Sequence, residues 1–313
     1  MQSIQTPPTS AGAVDAFHVL LRDLIDYAGL FPPASLSMAQ SVKNYDEYFR
    51  SESNWILGRF IVPVDRLGEL EGALAERPSS TSQAEQKWRL SVLLGNDAVA
   101  DVTAIRQFND RMASPGSCRR AVIESVETRI AHAVEVKRLS AILPAGLTTY
   151  FEVPPSTCGE CIAAVSANAR RAKIRTGGET AEKFPDSENV IEFVRLCAAA
   201  NVPFKATAGL HHPLRSVQRF TYHPESPSGM MHGFLNVFLA AAFLRAGMKP
   251  KLAVQLLEEQ APQVFRIDRD GVSWREHRLN HDEIAAVREK FAVSFGSCSF
   301  TEPIDDLQSL HLL

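Results

Sequence analysis

The chain has no cluster of Lys and Arg: its 33 basic residues are spread among 36 acidic ones, for a formal net charge of -3. That balance leaves no electrostatic footprint for nucleic acid or an anionic membrane, both of which need a basic patch. It directs attention to a small-molecule partner. Long apolar runs are missing too. The longest, residues 234–244, contains Asn236 and falls short of the roughly 20 residues a bilayer span requires. Cysteine is scarce and odd in number. Cys118, Cys158, Cys161, Cys197 and Cys298 form no disulfide framework, which points to a reducing, cytoplasmic setting. Residues 1–13 have Ser, Thr and Pro but neither a basic stretch nor an apolar one, and read as a flexible tail rather than a signal peptide. There is no internal repeat and no low-complexity tract.

What the chain does have is globular composition, 45% hydrophobic with 22% charged over 313 residues, enough to bury about 75% of its unfolded surface without a staple. Short β-type runs alternate with longer amphipathic ones, the signature of parallel strands joined by crossover helices. Strands are expected over residues 25–31, 58–64, 89–94, 120–126, 148–153, 172–176 and 203–210. Their starts fall about 25 to 35 residues apart, the length of one βα unit. An eighth strand fits residues 234–240, although the longer apolar run 234–245 fits a buried helix equally well. The expected architecture is therefore a single (β/α)8 TIM-type barrel over residues 14–313, with residues 264–313 as a C-terminal hairpin and helical elaboration. Three polar stretches, 76–87, 179–189 and 216–229, read as loops. The last two follow strands six and seven, where barrel enzymes carry lids, and 216–229 is the better lid.

Alternate residues of a barrel strand face inward, and those near its C-terminal end meet at the mouth. Strand five then offers Tyr150 and Glu152, strand six Lys173 and Arg175, and strand seven Lys205, Thr207, Gly209 and His211. Charge inside a barrel is costly unless paired or used. One reading is an ion-pair ladder that stabilises the centre. The other is a site for an anionic substrate, with Arg175 offering bidentate geometry to a carboxylate or phosphate. A lysine attacks a carbonyl only when neutral, and Lys173 beside Lys205 would lower the latter's pKa. Glu152 or His211 would then move protons. Around this set, Thr176, Gly177 and Gly178 form a turn whose backbone N–H groups suit an anion. His212 and Asn236 are further candidate substrate contacts, and Asp26 and Tyr27 could line the mouth at strand one.

The helix and strand of residues 191–209, with Phe204-Lys205-Ala206-Thr207-Ala208-Gly209, resemble the Lys-Thr-Ser-Thr-Gly-type strand of the deoxyribose-phosphate aldolase group of class I aldolases. That family's lysine forms a Schiff base, a role the resemblance carries to Lys205. The family places this lysine on the sixth strand. Here Lys205 falls on the seventh, and Lys173 precedes it on the sixth.

These readings converge on a lyase or isomerase acting on a small anionic carbonyl compound without an organic cofactor. Lys205, Lys173, Glu152 and His211 would carry the chemistry, while Arg175, Thr207, Thr176, Gly177, Gly178, His212 and Asn236 would hold substrate. Two alternatives stand beside it. One is a lyase or hydrolase with a divalent metal on Glu124, Glu152 and His211, Glu127 being a further carboxylate on strand four. The other is a barrel that binds an anionic metabolite without turning it over. A homo-oligomer is compatible with either.

Overall fold

The computed structural model describes residues 15–76, 87–114 and 121–313. The expected tail at 1–13, the interior of the 76–87 loop, Cys118 and Arg120 lie outside the described residues. Seven strands come in the expected order: β1 (Ile25–Tyr27), β2 (Leu57–Pro63), β3 (Trp88–Leu93), β4 (Ala121–Arg129), β5 (Thr148–Glu152), β6 (Arg171–Arg175) and β7 (Phe204–Thr207). The chain then forms an antiparallel ribbon of β8 (Ser216–Arg219) and β9 (Ser228–Met231). Helices Phe234–Arg245 and Pro250–Leu257 follow. A three-stranded antiparallel sheet comes next, β10 (Phe265–Asp268), β11 (Gly271–Trp274) and β12 (His277–Asn280), and then the helix His281–Lys290. The last strand, β13 (Ala292–Ser297), enters between β1 and β7 and closes an eight-stranded parallel barrel in the order β1-β13-β7-β6-β5-β4-β3-β2. This is the expected (β/α)8 architecture.

The closing strand is not where the sequence pattern put it. Residues 234–240 belong to the helix Phe234–Arg245, of which ten residues are buried, Phe234 to Phe243 without a break. A helix covered on all sides is apolar on all sides, so its sequence carries no period to distinguish it from a buried strand. Conversely β13 turns Ser294 to the barrel axis, where its hydroxyl reaches Asp26, and Gly296, which lines the central cavity. Its large apolar side chain, Phe295, faces outward against Phe234 and Phe238, so the inner face of β13 is small and polar and does not read as a core strand. Part of the expected elaboration at 264–313 is thus barrel wall, while the hairpin and the helices around it do stand outside.

Two strand ends also differ. β1 stops at Tyr27 instead of reaching residue 31, and β4 continues past residue 126 to Arg129. The extension of β4 carries Glu127 inward. Tyr27 points outward into a cluster with Tyr45, Tyr48 and Phe60 and does not line the mouth. The expected lid at 216–229 is the β8–β9 ribbon, which lays Phe220 and Met231 over the cavity. Among the described residues no helix is long and apolar enough to cross a membrane.

Candidate active site

The C-terminal ends of the barrel strands surround a cavity of about 220 Å³. Its floor is a zigzag of ionic side chains running across the barrel. Asp26 on β1 is fully buried, and its Oδ2 accepts from Lys205 Nζ at 2.6 Å and from Ser294 Oγ at 2.8 Å. Lys205 on β7 also donates to Glu127 Oε1 at 2.6 Å, an oxygen that accepts from Ser91 Oγ at 2.7 Å as well. The other oxygen of Glu127 lies 2.8 Å from Lys173 Nζ on β6. Lys173 then reaches Glu152 Oε2 at 3.0 Å on β5. Glu152 Oε1 takes Arg175 Nε at 3.0 Å and faces Arg129 Nε at 3.5 Å at the rim. The register accounts for this sequence, since Lys173 pairs with Lys205 across β6 and β7 and Glu152 pairs with Lys173 across β5 and β6.

The local sequence makes room for the ladder. Gly58 on β2 is the neighbour of Asp26, and a Cβ there would stand 2.3 Å from Asp26 Oδ1. That oxygen instead accepts the Arg59 backbone N–H at 2.7 Å. Tyr150 packs beneath, with Lys205 Nζ 5.5 Å from its ring centroid, a cation–π contact that adds to the ammonium's stabilisation.

The electrostatics follow from this pairing. Burial alone would push Asp26 and Glu127 upward, but Lys205 and Arg59 for Asp26, and Lys173 and Lys205 for Glu127, hold both below the ordinary carboxylate range. Glu152 is lowered as well: Lys173 and Arg175 outweigh its burial. Lys205 is shifted upward, because Asp26 and Glu127 outweigh desolvation. The expectation that Lys173 would render Lys205 a neutral nucleophile is therefore corrected. Two carboxylates hold Lys205 as an ammonium, and it sits below the cavity with 0% exposure. Lys173, 4% exposed, is the lysine that lines the cavity floor.

Of the other sequence candidates, Glu152, Arg175, Thr207, Gly178 and His211 line the cavity. Thr176 is buried and donates to the Ala208 carbonyl at 2.7 Å. Gly177 is pressed against Gly209, so that a Cβ on it would lie 2.8 Å from the Gly209 Cα. These two residues join the ends of β6 and β7, where the Thr176 N–H donates to the Thr207 carbonyl at 2.9 Å. His212 turns to Asp306, at 2.6 Å. Asn236 is a structural clasp: its Oδ1 accepts from the Arg215 N–H, and its Nδ2 donates to the Leu256 and Glu259 carbonyls, each at 2.9 Å. His212, Thr176, Gly177 and Asn236 are thus outside the cavity lining.

The strand-parity argument separated Glu124 from Glu127, but the β3–β4 register skips from Ile123 to Ser125. Glu124 sits in that irregularity and pairs with Arg59 at 2.6 Å instead of joining Glu152 and His211. Among the described residues no three His, Cys, Asp or Glu side chains are grouped to hold a metal ion.

Sequence reasoning missed the partner role of Asp26, the central position of Glu127, and Arg129. The alternation Ser125, Glu127, Arg129 at the end of β4 carried that signal. It also missed a second polar cluster on the wall. His211 Nδ1 lies 3.0 Å from Glu302 Oε2, and Cys298 Sγ lies 3.9 Å from His211 Nε2. Burial opposes protonation of His211, but the Cys298 sulfur and the Glu302 carboxylate outweigh it and raise its pKa to about 10.

No protein-family model, curated protein or solved structure matches the chain. The (β/α)8 fold hosts enzymes of many chemistries at this end of the barrel, and the reading of the site rests on its own geometry.

Proposed function

We propose that this barrel is a lyase or isomerase acting on a small anionic carbonyl compound through a Schiff base on Lys173, with Lys205 as a fixed ammonium beneath it. The observation that carries the reading is the contrast between the two lysines: Lys173 reaches the cavity, and Lys205 is sealed between Asp26 and Glu127. The resemblance of residues 204–209 to class I aldolases points to Lys205 instead, so the assignment to Lys173 rests on its access to the cavity.

The chemistry follows from the contacts. Glu152, 3.0 Å from Lys173 Nζ, takes the ammonium proton, because Glu127 remains bound to the Lys205 ammonium and is the weaker base. The freed lone pair forms the N–C bond to the substrate carbonyl while the C=O π pair moves to oxygen. That oxygen is protonated and departs as water, leaving an iminium. The iminium draws in the electrons of an adjacent C–C or C–H bond, and Glu152 exchanges the protons. Preference for an anion follows from charge. Asp26, Glu127 and Glu152 are answered by Lys205, Lys173 and Arg175, and Arg129 at the rim adds a further positive charge. Lys183 and Glu179, also at the mouth, face each other at 3.9 Å.

The test is borohydride reduction of the protein with a panel of small keto acids, aldehydes and sugar phosphates, followed by peptide mass mapping. A reduced adduct on Lys173 supports the assignment, and one on Lys205 would restore the role given by the sequence. No adduct with any member of the panel overturns the Schiff-base reading. The mutual pairing of the interior charges favours a second reading, an anion-binding barrel without turnover. Calorimetric binding of a panel member without any adduct is its expected result.

A further inference from the structure

The cluster around Cys298 is not used by the Lys173 chemistry, yet it opens into the same cavity. Cys298 follows the end of β13 and His211 follows the end of β7, so two adjacent strands deliver them side by side, and both line the cavity. Glu302, from the helix Thr301–Ser309, faces the far side of the imidazole, with Oε2 3.0 Å from Nδ1. Tyr222, beyond β8, donates its hydroxyl to that same carboxylate oxygen at 2.8 Å and lies 3.6 Å from Cys298 Sγ.

The order of these groups dictates where protons go. An ionised carboxylate only accepts, so Nδ1 carries hydrogen, and Nε2 is the nitrogen that exchanges a proton with the thiol. An imidazolium held by a carboxylate on one side stabilises a thiolate on the other. Tyr27 approaches from β1, and the neighbouring His212 is occupied by Asp306. The other described cysteines lack this setting, and burial pushes Cys158 up to about 11 and Cys197 well above its usual value.

We propose that Cys298 is a thiolate paired with imidazolium His211, and that it is a second nucleophile of the cavity, forming a reversible hemithioacetal with an aldehyde-bearing anion. The thiolate adds to the aldehyde carbon and a C–S bond forms. The C=O π pair moves to oxygen, which takes the Nε2 proton and leaves neutral imidazole. No oxidant or further reactant is needed. The ionisation of Cys298 is independent of the Lys173 reading. The choice of an anionic aldehyde rests on that reading's account of the cavity's charge.

The experiment measures alkylation of Cys298 by iodoacetamide at pH 7 with and without glyoxylate, by peptide mass mapping, in the wild type, His211→Gln and Lys173→Met. A thiol with the ordinary pKa of about 8.5 is only a few per cent ionised at that pH. Alkylation in the wild type should therefore be about tenfold faster than in His211→Gln, and glyoxylate should slow it in both the wild type and Lys173→Met. A thiolate absorbance near 240 nm, present in the wild type and lost in Cys298→Ser, supports the ionised state without relying on the folding of the His211 variant. Equal alkylation rates in the wild type and His211→Gln, or an absorbance unchanged by Cys298→Ser, overturn the pair. Glyoxylate protection that is absent everywhere, or that vanishes in Lys173→Met, overturns the hemithioacetal and leaves the Schiff-base assignment to its own borohydride test.

Discussion

Replacing Lys205 by methionine tests the ionic floor most directly, because it keeps the volume of the side chain and removes the charge that Asp26 and Glu127 share. Asp26 would retain the Arg59 N–H and Ser294 hydroxyl, and Glu127 would retain Ser91 and Lys173. Each would still be a buried carboxylate short of a cation. Removing one partner of a buried pair costs about 3–5 kcal/mol, which is the expected loss in a urea titration at pH 8 followed by tryptophan fluorescence. The pH dependence carries the sharper signature. In the wild type Asp26, Glu127 and Glu152 have lowered pKa values, so the unfolded chain binds protons first. Their stabilisation is present above the ordinary carboxylate pKa of about 4 and is lost as pH falls through the folded values below it. In Lys205→Met, burial prevails and raises the Asp26 pKa above its unfolded value, so the folded form binds the proton first. Stability should then increase as pH falls through that raised value, the reverse of the wild-type slope. A loss below about 1 kcal/mol, or an unchanged slope, would refute the claim that Lys205 is the ammonium on which the buried carboxylates depend.

Gly58→Ala forces a Cβ to 2.3 Å from Asp26 Oδ1, and overpacking of this kind costs about 1–3 kcal/mol, measurable by thermal melting; an unchanged melting temperature would mean that β2 yields freely. Asn236→Ala strands the Arg215 N–H and takes a donor from each of the Leu256 and Glu259 carbonyls, and an expected loss of about 1–3 kcal/mol in chemical denaturation should leave the borohydride adduct pattern intact. Arg175→Ala removes a cation that touches Glu152 at the cavity wall. A charge-assisted hydrogen bond is worth about 1.5–3 kcal/mol, so calorimetry should show roughly 10–100-fold weaker binding of an anionic carbonyl compound and little change for a neutral analogue.

The charged strand ends carried much of the candidate site in plain view. Glu152, Lys173, Arg175 and Lys205 stand at positions where an ordinary barrel strand would be apolar, and inward parity on β5, β6 and β7 was enough to group them. Parity failed on β4, where the irregular register beside Glu124 cannot be seen in a linear pattern and Glu127 lay one residue past the expected strand end. Asn236 and His212 present a different ambiguity, since neither was grouped with the site by strand parity. A polar side chain next to a barrel reads the same whether it faces substrate or ties down neighbouring backbone.

The alternation of strand and helix, and hence the barrel, was determined by the one-dimensional pattern, because burying one face of each element imposes a period on its residues. Which segment closes the barrel was decided by the tertiary structure, since β13 faces the axis with Ser294 and Gly296 and the helix Phe234–Arg245 is enclosed on every side. Tertiary structure alone also distinguished the two lysines. Each has two carboxylates within reach, and they differ in depth: Lys173 borders the cavity and Lys205 lies beneath it, an arrangement that arises only when residues as distant as Asp26, Glu127 and Lys205 are brought within hydrogen-bonding distance.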